Sequence, residues 1–491
     1  MTALEESTYP SLVEPDDWSE ELQVLLGAGT LVTVANRLPC CWPPSEDHLV
    51  PTPGGLASTL LPVARRSGAT WVGSVSAGAD QEPVTIDDIR LVPVPLSAEE
   101  ETGYYAGFAN AGIWPLYHDA LRPSRFSRAQ WNHYVTVNRR FADAAIAEAG
   151  PASAVWVHDY HLQLVPRFIR SSRPTARIGF FLHIPFPHPA LFRRLPWRMA
   201  ILSGLLGADL IGFQDTSSAE NFKDCCAQLG LGTVAGDVVH HSHGSTTVGT
   251  FPVATDGSIF DEISRSPSTE LDAAALRRHC GNPELLLLGV DRLDYTKGID
   301  IRLRAYEMLL RSGRIDPQTT VFLQVAPPSR TDVREYQAEQ ARIEQAVARI
   351  NGRYGSTAHQ PVLYLNQSMS TSDLVAAYRA ADVMLVTPLR DGMNLVAKEY
   401  VASQYDHRGS LVLSEFAGAA VQLGLAHIVN PYDLPSVAAG ILDAVSMDPA
   451  QARQRMQQMR ETVMAESPQQ WAQGFLSELA VHAQLGAELR S

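Results

Sequence analysis

The stretch VMLVTPLRDGMNLVAKEY, residues 383–400, joins an apolar run to a glycine-containing turn and a helical pattern. This order predicts a buried strand, a tight turn and a helix whose first N–H groups have no intrahelical partner. Those donors and the dipole of the helix favour negative charge. The junction around Asp391 and Asn394 is therefore predicted to bind an anion, with phosphate as the expected group.

The same alternation of apolar runs and amphipathic segments continues through almost the whole chain. Ten short apolar runs predict strands at residues 31–35, 154–157, 177–184, 210–213, 285–290, 320–326, 362–365, 383–388, 411–414 and 427–430. Helical patterns such as residues 132–149 lie between many of them. Strands that alternate with helices form parallel, doubly wound sheets, so the predicted fold class is α/β with Rossmann-like domains.

The length of 491 residues exceeds what one compact core supports, since domains usually hold roughly 100 to 200 residues. Residues 256–284 contain turn formers and no strand pattern, which indicates a domain boundary just before or within them. We therefore predict two facing domains, residues 1–255 and residues 256–466.

The chain is acidic, with a formal net charge of −14, and 45% of its residues are hydrophobic. A nucleic-acid-binding protein would show a basic stripe instead, so small molecules are the expected partners. The five cysteines contain no Cys-x-x-Cys motif, which is typical of a reduced compartment. No signal peptide or membrane span is predicted. The expected location is the cytoplasm, and the sequence does not exclude a homo-oligomer.

Polar residues accumulate directly after the predicted strands. In open parallel sheets, ligands bind beyond the carboxyl ends of the strands. The residues at these ends are Arg37, Asp159, His183, Arg292, Lys297 and Asp391. Because both halves of the chain supply them, they predict one cleft between the two domains.

Arg292 and Lys297 lie in a loop between a predicted strand and a predicted helix. One interpretation is a solvated loop with a local ion pair to Asp291 or Asp294, because exposed pairs of this kind are common. The other is a diphosphate site, in which the two cations face the free N–H groups near Asn394. Both interpretations stay open from these residues alone.

Glu399 falls inside the predicted helix, five residues beyond Asn394. A buried carboxylate requires a partner. The hydroxyl groups of a ribose would supply one, and so would a salt bridge to a nearby Lys or Arg.

A metal site is not predicted. Diphosphate leaving groups are often neutralised by Mg²⁺ held by carboxylates, but the chain contains no Asp-x-Asp motif. The same absence argues against an aspartyl-phosphate phosphatase. The histidines at positions 240, 241 and 243 lie in a turn-rich segment and are interpreted as part of an exposed hairpin.

Residues 101–119, ETGYYAGFANAGIWPLYHD, interleave aromatic residues with Gly, Asn and Pro. We interpret this segment as loop-like, so that Tyr105 and Trp114 are candidates for stacking on a sugar ring rather than core residues. His183 opens a proline-rich turn, and a structural role for it remains the alternative.

These motifs resemble those of the trehalose-6-phosphate synthases, the retaining glycosyltransferases of family 20. The matching segments follow the family's order across nearly the whole chain: ANRLP (35–39), PGGL (53–56), VWVHDYHLQLVP (155–166), IGFFLHIPFP (178–187), GVDRLDYTKGID (289–300) and VTPLRDGMNLVAKEYVA (386–402). The resemblance implies two facing Rossmann-like domains of the GT-B architecture, with a C-terminal helix (467–491) that crosses back to the N-terminal domain. It also implies transfer of glucose from a nucleoside-diphosphate glucose to glucose 6-phosphate, without metal or cofactor.

The resemblance further implies roles for individual residues. The implied catalytic residues are Arg292, Lys297, Asp159, His183 and Asp391. The implied donor-binding residues are Gly55, Arg292, Lys297, Gly392, Met393, Asn394, Leu395, Val396 and Glu399. The implied acceptor-binding residues are Arg37, Tyr105, Trp114, Asp159 and Arg330. Configuration would be retained by a front-face route in which the departing phosphate accepts the acceptor's proton.

Two segments depart from the family pattern. WVGS (71–74) replaces a Trp-x-Gly-Trp segment, so that Ser74 stands where an aromatic residue is expected beside the acceptor. PVAT (252–255) replaces a Pro-Ile-Gly-Ile turn. A related enzyme with a cyclitol or amino-cyclitol phosphate as acceptor is therefore an alternative, as is a non-catalytic sugar-phosphate sensor. The sequence does not decide whether the nucleoside diphosphate of the donor is UDP, GDP or ADP.

Overall fold

The computed structural model describes residues 29–40, 42, 55–79, 82–330 and 333–490. The start of the predicted N-terminal domain (1–28) and residues 43–54 lie outside these described residues, as do residues 331–332 and 491. The described residues form two α/β units, each built on a mainly parallel sheet. The predicted fold class is confirmed.

The N-terminal unit holds a ten-stranded sheet in the order β3-β4-β2-β1-β5-β6-β7-β10-β9-β8. Its strands are β1 (Leu31–Arg37), β2 (Thr70–Ser76), β3 (Val84–Ile86), β4 (Ile89–Leu96), β5 (Ala154–His158), β6 (Arg177–Phe181), β7 (Leu210–Phe213), β8 (Thr233–Ala235), β9 (Val238–His241) and β10 (Gly244–Thr250). Its helices are α1 (Gly55–Ser67), α2 (Ala98–Glu100), a π-helix (Glu101–Ile113), α3 (Trp114–Tyr117), α4 (Arg128–Glu148), α5 (Val165–Ser172), α6 (Pro189–Phe192), α7 (Arg198–Leu205) and α8 (Thr216–Gln228), with a 3₁₀ turn at Tyr160–Leu162.

The C-terminal unit holds a six-stranded parallel sheet in the order β13-β12-β11-β14-β15-β16. Its strands are β11 (Leu285–Val290), β12 (Thr320–Val325), β13 (Val362–Leu365), β14 (Val383–Val386), β15 (Ser410–Ser414) and β16 (His427–Val429). Its helices are α9 (Gly257–Arg265), α10 (Pro267–His279), α11 (Ile299–Arg311), α12 (Arg334–Tyr354), α13 (Thr371–Ala380), α14 (Leu395–Ser403), α15 (Leu434–Ser446) and α16 (Pro449–Met464), with 3₁₀ turns at Tyr295–Lys297 and Gly418–Val421.

All ten predicted strands are present, and the structure adds six that the apolar runs did not predict. β4 was missed because Pro93 and Pro95 interrupt its pattern. Prolines lack a donor and are tolerated near the edge of a sheet, where β4 lies with only the short β3 beyond it. The predicted hairpin at residues 240–243 is confirmed, since β9 and β10 pair antiparallel there.

The loop-like interpretation of residues 101–119 is wrong. Most of this segment is helical and includes 13 residues of π-helix. Its glycines permit close packing: a Cβ on Gly103 would lie 2.5 Å from the His133 ring, and one on Gly107 would lie 2.6 Å from the Gln130 amide. A composition rich in Gly and aromatic residues conceals a helix of this kind, because it lacks the usual apolar periodicity.

The last helix, α17 (Pro468–Arg490), packs against the N-terminal sheet. The Phe475 ring stacks on Trp156 at 4.8 Å between centroids, and the Trp471 indole N–H donates to the carbonyl of Phe251 at 3.1 Å. Gly179 and Gly212 make room for Phe475 on β6 and β7. Among the described residues, no helix has the length and apolarity required to cross a membrane.

Candidate active site

The two sheets present their carboxyl-terminal edges to a shared cleft. In the N-terminal sheet, β1, β5 and β6 are neighbours, and in the C-terminal sheet β11 and β14 are neighbours. Parallel pairing places the ends of neighbouring strands side by side. The predicted site residues Arg37, Asp159 and His183 therefore share one edge, and the loop that carries Lys297 lies beside the loop that carries Asp391.

Lys297 and Asp391 form an ion pair across the two loops of the C-terminal unit. The Lys297 ammonium lies 2.5 Å from Asp391 Oδ2, and the Asn394 amide donates to the same oxygen at 3.0 Å. Burial opposes ionisation of Asp391, but the neighbouring Lys297 and Asn394 outweigh it and lower the pKa of this carboxyl below its ordinary value. Among the described residues, Lys297 does not form the local ion pair with Asp291 or Asp294 that was one interpretation of the sequence; its carboxylate partner is 94 residues away.

Helix α14 begins at this cluster. Asn394 is its N-cap in a left-handed conformation (φ 80°), and its side-chain oxygen accepts from the N–H of Ala397 at 3.1 Å. The cap leaves the N–H groups of Leu395 and Val396, in the first turn, facing outward without an intrahelical partner. The predicted anion site at the start of this helix therefore combines free donors with the adjacent Lys297 ammonium.

Arg292 has different surroundings. Its side chain is exposed, and within the described ranges it makes no ion pair or hydrogen bond. Its charge nevertheless acts on Tyr105 and Asp159 across the cleft. Neither Asp291 nor Asp294 is its partner. Asp291 pairs with buried Arg302 at 2.5 Å, and Asp294 pairs with Arg330 at 2.8 Å. Arg292 is thus a cation that a ligand can engage at little cost.

The two units touch closely at two glycines of the site. A Cβ on Gly392 would lie 2.2 Å from the His183 carbonyl oxygen, so only glycine permits this approach of the two edges. Gly55, at the start of α1, lies against the Leu395 side chain, 3.2 Å from where its Cβ would be. Predicted donor-site residues from both halves of the chain therefore meet at the start of α14.

Glu399 lies one turn further along α14 and has a neutral partner. The Tyr378 hydroxyl donates to Glu399 Oε2 at 3.0 Å. Burial raises the pKa of this carboxyl to about 7. Among the described residues, no Lys or Arg forms the salt bridge considered for Glu399. A carboxylate without a cation is well suited to accept hydrogen bonds from a ligand's hydroxyl groups.

Asp159 occupies a strained position at the end of β5. Its backbone angles are φ 73° and ψ 168°, a region that residues other than glycine rarely adopt. The His183 N–H donates to its Oδ1 at 3.3 Å. Burial raises the pKa of Asp159 to about 6, although nearby Arg330 and Arg292 act in the opposite direction. Such strain, which costs about 1 to 3 kcal/mol, is typical of functional sites.

His183 is held by a second histidine that the sequence did not single out. His158 Nδ1 lies 3.2 Å from His183 Nε2, so one ring donates and the other accepts. Burial lowers the pKa of His183 to about 3. The neutral ring is therefore a hydrogen-bonding group rather than a charge at physiological pH.

The predicted acceptor residues also come together. An Arg37 Nη2 donates to the Tyr105 hydroxyl at 3.1 Å, and the guanidinium of Arg330 lies 3.8 Å from the centre of the Trp114 indole. The π-helix presents both aromatic residues, since Tyr105 lies within it and Trp114 follows it. Arg330 belongs to the C-terminal unit, so this cluster spans the cleft.

Three cations converge on Tyr105. Burial would raise the pKa of this phenol, but the charges of Arg330, Arg37 and Arg292 lower it below its ordinary value. In a chain with a net charge of −14, such a convergence of guanidinium groups indicates a site for an anion.

Arg330 also contacts polar groups of both units. Its Nη1 lies 2.8 Å from Asp294 Oδ2, and it hydrogen-bonds the hydroxyl groups of Tyr160 and Tyr336. Both members of the ion pair are buried. Sequence reasoning missed Tyr160 and Tyr336, although Tyr160 stands inside the quoted HDYHL motif.

Ser74 lies directly beside this cluster. Its hydroxyl donates to the Asn36 carbonyl at 2.5 Å, and the Asn36 side chain accepts from the Tyr104 hydroxyl at 2.7 Å. Asn36 precedes Arg37, so Ser74 supports the strand end that carries the predicted acceptor residue. Trp71 lies three residues before Ser74 on β2, so its side chain points to the opposite face of the sheet, since successive residues of a strand alternate between the two faces.

Among the described residues, no group of three or more His, Cys, Asp or Glu side chains could hold a metal ion. The site described above combines cations and free backbone donors with the carboxyl groups of Asp159, Asp391 and Glu399. A donor set of this kind binds anionic and hydroxylated ligands directly.

The model of glycosyltransferase family 20 matches residues 30–481. The chain belongs to this family. Trehalose-6-phosphate synthases from Mycolicibacterium vanbaalenii and Mycobacterium marinum are each 46% identical to it over 473 residues. The alignments cover 92% and 93% of this chain, and 96% and 95% of those proteins.

Solved structures of the family share the fold. An E. coli structure with bound UDP-2-fluoro glucose superposes with a TM-score of 0.85 at 35% identity and covers 92% of this chain and 99% of that one. An α,α-trehalose-phosphate synthase (UDP-forming) from Burkholderia xenovorans in complex with glucose-6-phosphate gives a TM-score of 0.85 at 32% identity, over 92% of this chain and all of that one. Family 20 membership thus agrees with the two-unit architecture.

Proposed function

We propose that the protein is a retaining glycosyltransferase that transfers glucose from a nucleoside-diphosphate glucose to glucose 6-phosphate, giving α,α-trehalose 6-phosphate. The observation that carries this proposal is a pair of anion sites on opposite sides of one cleft. Lys297 and the start of α14 form one site, and Arg37, Arg330 and Tyr105 form the other. A diphosphate and a sugar phosphate match these two sites. The relatives with bound UDP-2-fluoro glucose and glucose-6-phosphate support this pairing.

The donor side of the proposal lies in residues 256–466. Arg292, Lys297 and the N–H groups of Leu395 and Val396 hold the diphosphate, with Gly55 beside them. Gly392 and Met393 line the same turn, His183 and Asp391 hold the transferred glucose, and Glu399 accepts hydrogen bonds from the ribose. Glu399 suits this role because it lacks a cationic partner.

The acceptor side lies in residues 1–255, together with the helix at 467–491, and Arg330 joins it from the other unit. Arg37, Tyr105 and Arg330 hold the phosphate of glucose 6-phosphate, and Trp114 lines its ring. Asp159 orients the acceptor hydroxyl groups. Its strained backbone supports this role, since such strain persists only where the surrounding structure enforces it.

The proposed reaction follows a front-face route. The bond between the anomeric carbon and the diphosphate breaks, the acceptor hydroxyl bonds to the same face of that carbon, and the departing phosphate oxygen takes the hydroxyl proton. Asp391 is ion-paired to Lys297 and hydrogen-bonded to Asn394, which argues for a role in orientation rather than as a nucleophile. Stabilising the leaving group is the main task, and one preorganised contact of this kind is worth roughly 3 to 4 kcal/mol.

We further propose that no metal takes part, because Lys297, Arg292 and the helix donors supply positive charge at the diphosphate. The test is an assay with UDP-, GDP- and ADP-glucose, each with glucose 6-phosphate. The purified protein should release nucleoside diphosphate and form a non-reducing disaccharide phosphate, with two α-anomeric proton signals by NMR. EDTA should leave the rate unchanged. Activity lost in EDTA and restored by Mg²⁺ would contradict the metal-free route, and binding without turnover would indicate a sensor.

A changed acceptor is the second candidate, because Ser74 lies beside Asn36 and Arg37 where the family carries an aromatic residue. If glucose 6-phosphate is the substrate, Ser74→Trp should tighten its KM, since an aromatic wall adds about 1 to 2 kcal/mol through burial and stacking. A bulkier native acceptor, such as an amino-cyclitol phosphate, would instead be blocked by the indole. Kinetics of both proteins with hexose and amino-cyclitol phosphates distinguish the two candidates, with Ser76→Ala on the same strand as control.

A further inference from the structure

His118 is a buried histidine that none of the roles above uses. Its side chain is 1% exposed, and its ring packs on Trp114 with 4.1 Å between centroids. It ends α3, and the next two residues, Asp119 and Ala120, have positive φ angles of 53° and 54°. Two consecutive non-glycine residues with positive φ angles store backbone strain. This strained turn follows directly after His118.

The hydrogen bonds of His118 define its tautomer. Its Nδ1 lies 2.8 Å from the Trp114 carbonyl oxygen. A carbonyl only accepts, so Nδ1 carries the proton and Nε2 keeps a lone pair. Within the described ranges Nε2 has no hydrogen-bond partner. The atom itself is not completely shielded from solvent. This nitrogen therefore keeps a small solvent-exposed opening.

The charged groups near His118 show which part of the cleft it faces. Burial lowers its pKa to about 4, and the charged side chains that act on the ring are Asp294, Asp391 and Lys297. Asp294 holds Arg330 on the acceptor side, whereas Lys297 and Asp391 belong to the donor side. His118 thus lies where the two anion sites adjoin.

We propose that His118 Nε2 accepts a hydrogen bond from the C2 hydroxyl of the acceptor sugar and thereby orients that sugar for transfer. This inference rests on the proposed function. The acceptor's phosphate, on C6, is placed at Arg37 and Arg330, so its C1 end points towards the donor. The C1 hydroxyl must face the donor carbon, which leaves the neighbouring C2 hydroxyl for a neutral acceptor of hydrogen bonds beside Trp114.

The test compares glucose 6-phosphate with its 2-deoxy and 3-deoxy analogues in wild type, His118→Phe and His118→Asn. Phe keeps a ring against Trp114, whereas Asn keeps a donor for the Trp114 carbonyl, and both lack Nε2. Wild type should prefer glucose 6-phosphate over the 2-deoxy analogue about tenfold or more in kcat/KM, because the analogue leaves Nε2 unpaired. In both variants this preference should fall to within about twofold, and the preference over the 3-deoxy analogue should not change.

If kcat/KM falls by the same factor for all three acceptors in the variants, His118 has a structural role only and the assignment is overturned. Loss of discrimination against the 3-deoxy analogue alone would also overturn it. Should the variants not fold, calorimetry of wild type with UDP decides the point, because equal affinities for glucose 6-phosphate and its 2-deoxy analogue would refute the contact. If wild type does not turn over glucose 6-phosphate at all, the proposed function fails instead, so the two failures are distinguishable.

Discussion

Arg292 and Lys297 carry the same charge five residues apart, but they differ in what their removal exposes. Lys297 neutralises the Asp391 carboxylate, which is only 14% exposed, whereas Arg292 has no partner among the described residues. Their position after a strand was predictable from the sequence. The partner of Lys297 was not, because an ion pair between two loops depends on which strands become neighbours in the sheet.

Replacing each cation by alanine should therefore give two different phenotypes. Lys297→Ala and Arg292→Ala should each lower kcat roughly a hundredfold or more, since both charges act on the leaving group. Only Lys297→Ala should also lower the free energy of unfolding, by about 1 to 3 kcal/mol, because it leaves Asp391 without its cation. Steady-state kinetics and urea unfolding measure the two effects. Near-wild-type turnover in either variant would remove that residue from the mechanism.

Arg330 links catalysis and stability through its buried pair with Asp294. Arg330→Ala should raise the KM for glucose 6-phosphate roughly tenfold to a hundredfold and leave nucleotide affinity unchanged. It should also destabilise the fold by about 3 to 5 kcal/mol, because it leaves a buried carboxylate unpaired. Adding Asp294→Asn should restore part of the stability but not the KM. An equal loss of nucleotide affinity in calorimetry would move Arg330 to the donor site.

At the scale of elements, helix α14 was largely predictable and the π-helix was not. The start of α14 carries its own signals: an apolar strand before it, a glycine turn, and an asparagine cap. The π-helix has no such signals, and its register depends on glycines that fit against α4. The role of Tyr105 and Trp114 at a sugar ring stays a prediction, and Trp114 is buried in the core of the N-terminal unit.

Because Glu399 of helix α14 titrates near neutral pH, we expect donor binding to depend on pH. Glu399 has a pKa of about 7 in the empty protein, so it is mostly protonated at pH 6 and mostly ionised at pH 8. Ribose hydroxyl groups donate best to the ionised form. The affinity for a nucleotide sugar should therefore rise about tenfold from pH 6 to the plateau above pH 7, since one pKa unit corresponds to a factor of ten. Calorimetry across this range measures it.

Glu399→Gln is the control for this effect, because glutamine does not titrate. Its affinity for the nucleotide sugar should not vary between pH 6 and pH 8. The effect of pH on stability has the opposite sign. A carboxyl whose pKa is higher in the folded protein than in the unfolded protein makes the protein less stable as the pH rises through the folded pKa. Glu399→Gln should therefore stabilise the empty protein relative to wild type at pH 8 and much less at pH 5. A wild type whose donor affinity is flat with pH would refute the role of Glu399.

At the scale of the whole molecule, the two units are held together by both surface and buried contacts. Among the described residues, three ion pairs cross between the units: Arg122–Glu339 at 3.2 Å, Arg125–Glu335 at 2.9 Å and Asp119–Arg390 at 3.5 Å. The partly exposed pairs of Arg125 and Arg390 contribute about 0 to 1 kcal/mol each, whereas the Glu339 carboxylate is buried. The buried contacts of Gly392 and Arg330 across the cleft are more specific. No local pattern predicts them, because they depend on how two independently folded sheets face each other.

Gly392 gives the sharpest test of this arrangement. A Cβ at this position would lie 2.2 Å from the His183 carbonyl oxygen, so Gly392→Ala should force the two edges apart. Neither sheet is altered, so the melting temperature should change little. The value of kcat/KM should fall about a hundredfold or more, because the reacting groups are no longer held at bonding distance. The matched control is Gly352→Ala in α12, where no atom lies within 4 Å of the new Cβ. This variant should keep full activity. Its free energy of unfolding should rise by about 0.5 to 1 kcal/mol, because alanine has a better helix propensity than glycine. Wild-type activity in Gly392→Ala would show that catalysis does not require this close approach of His183 to the start of α14.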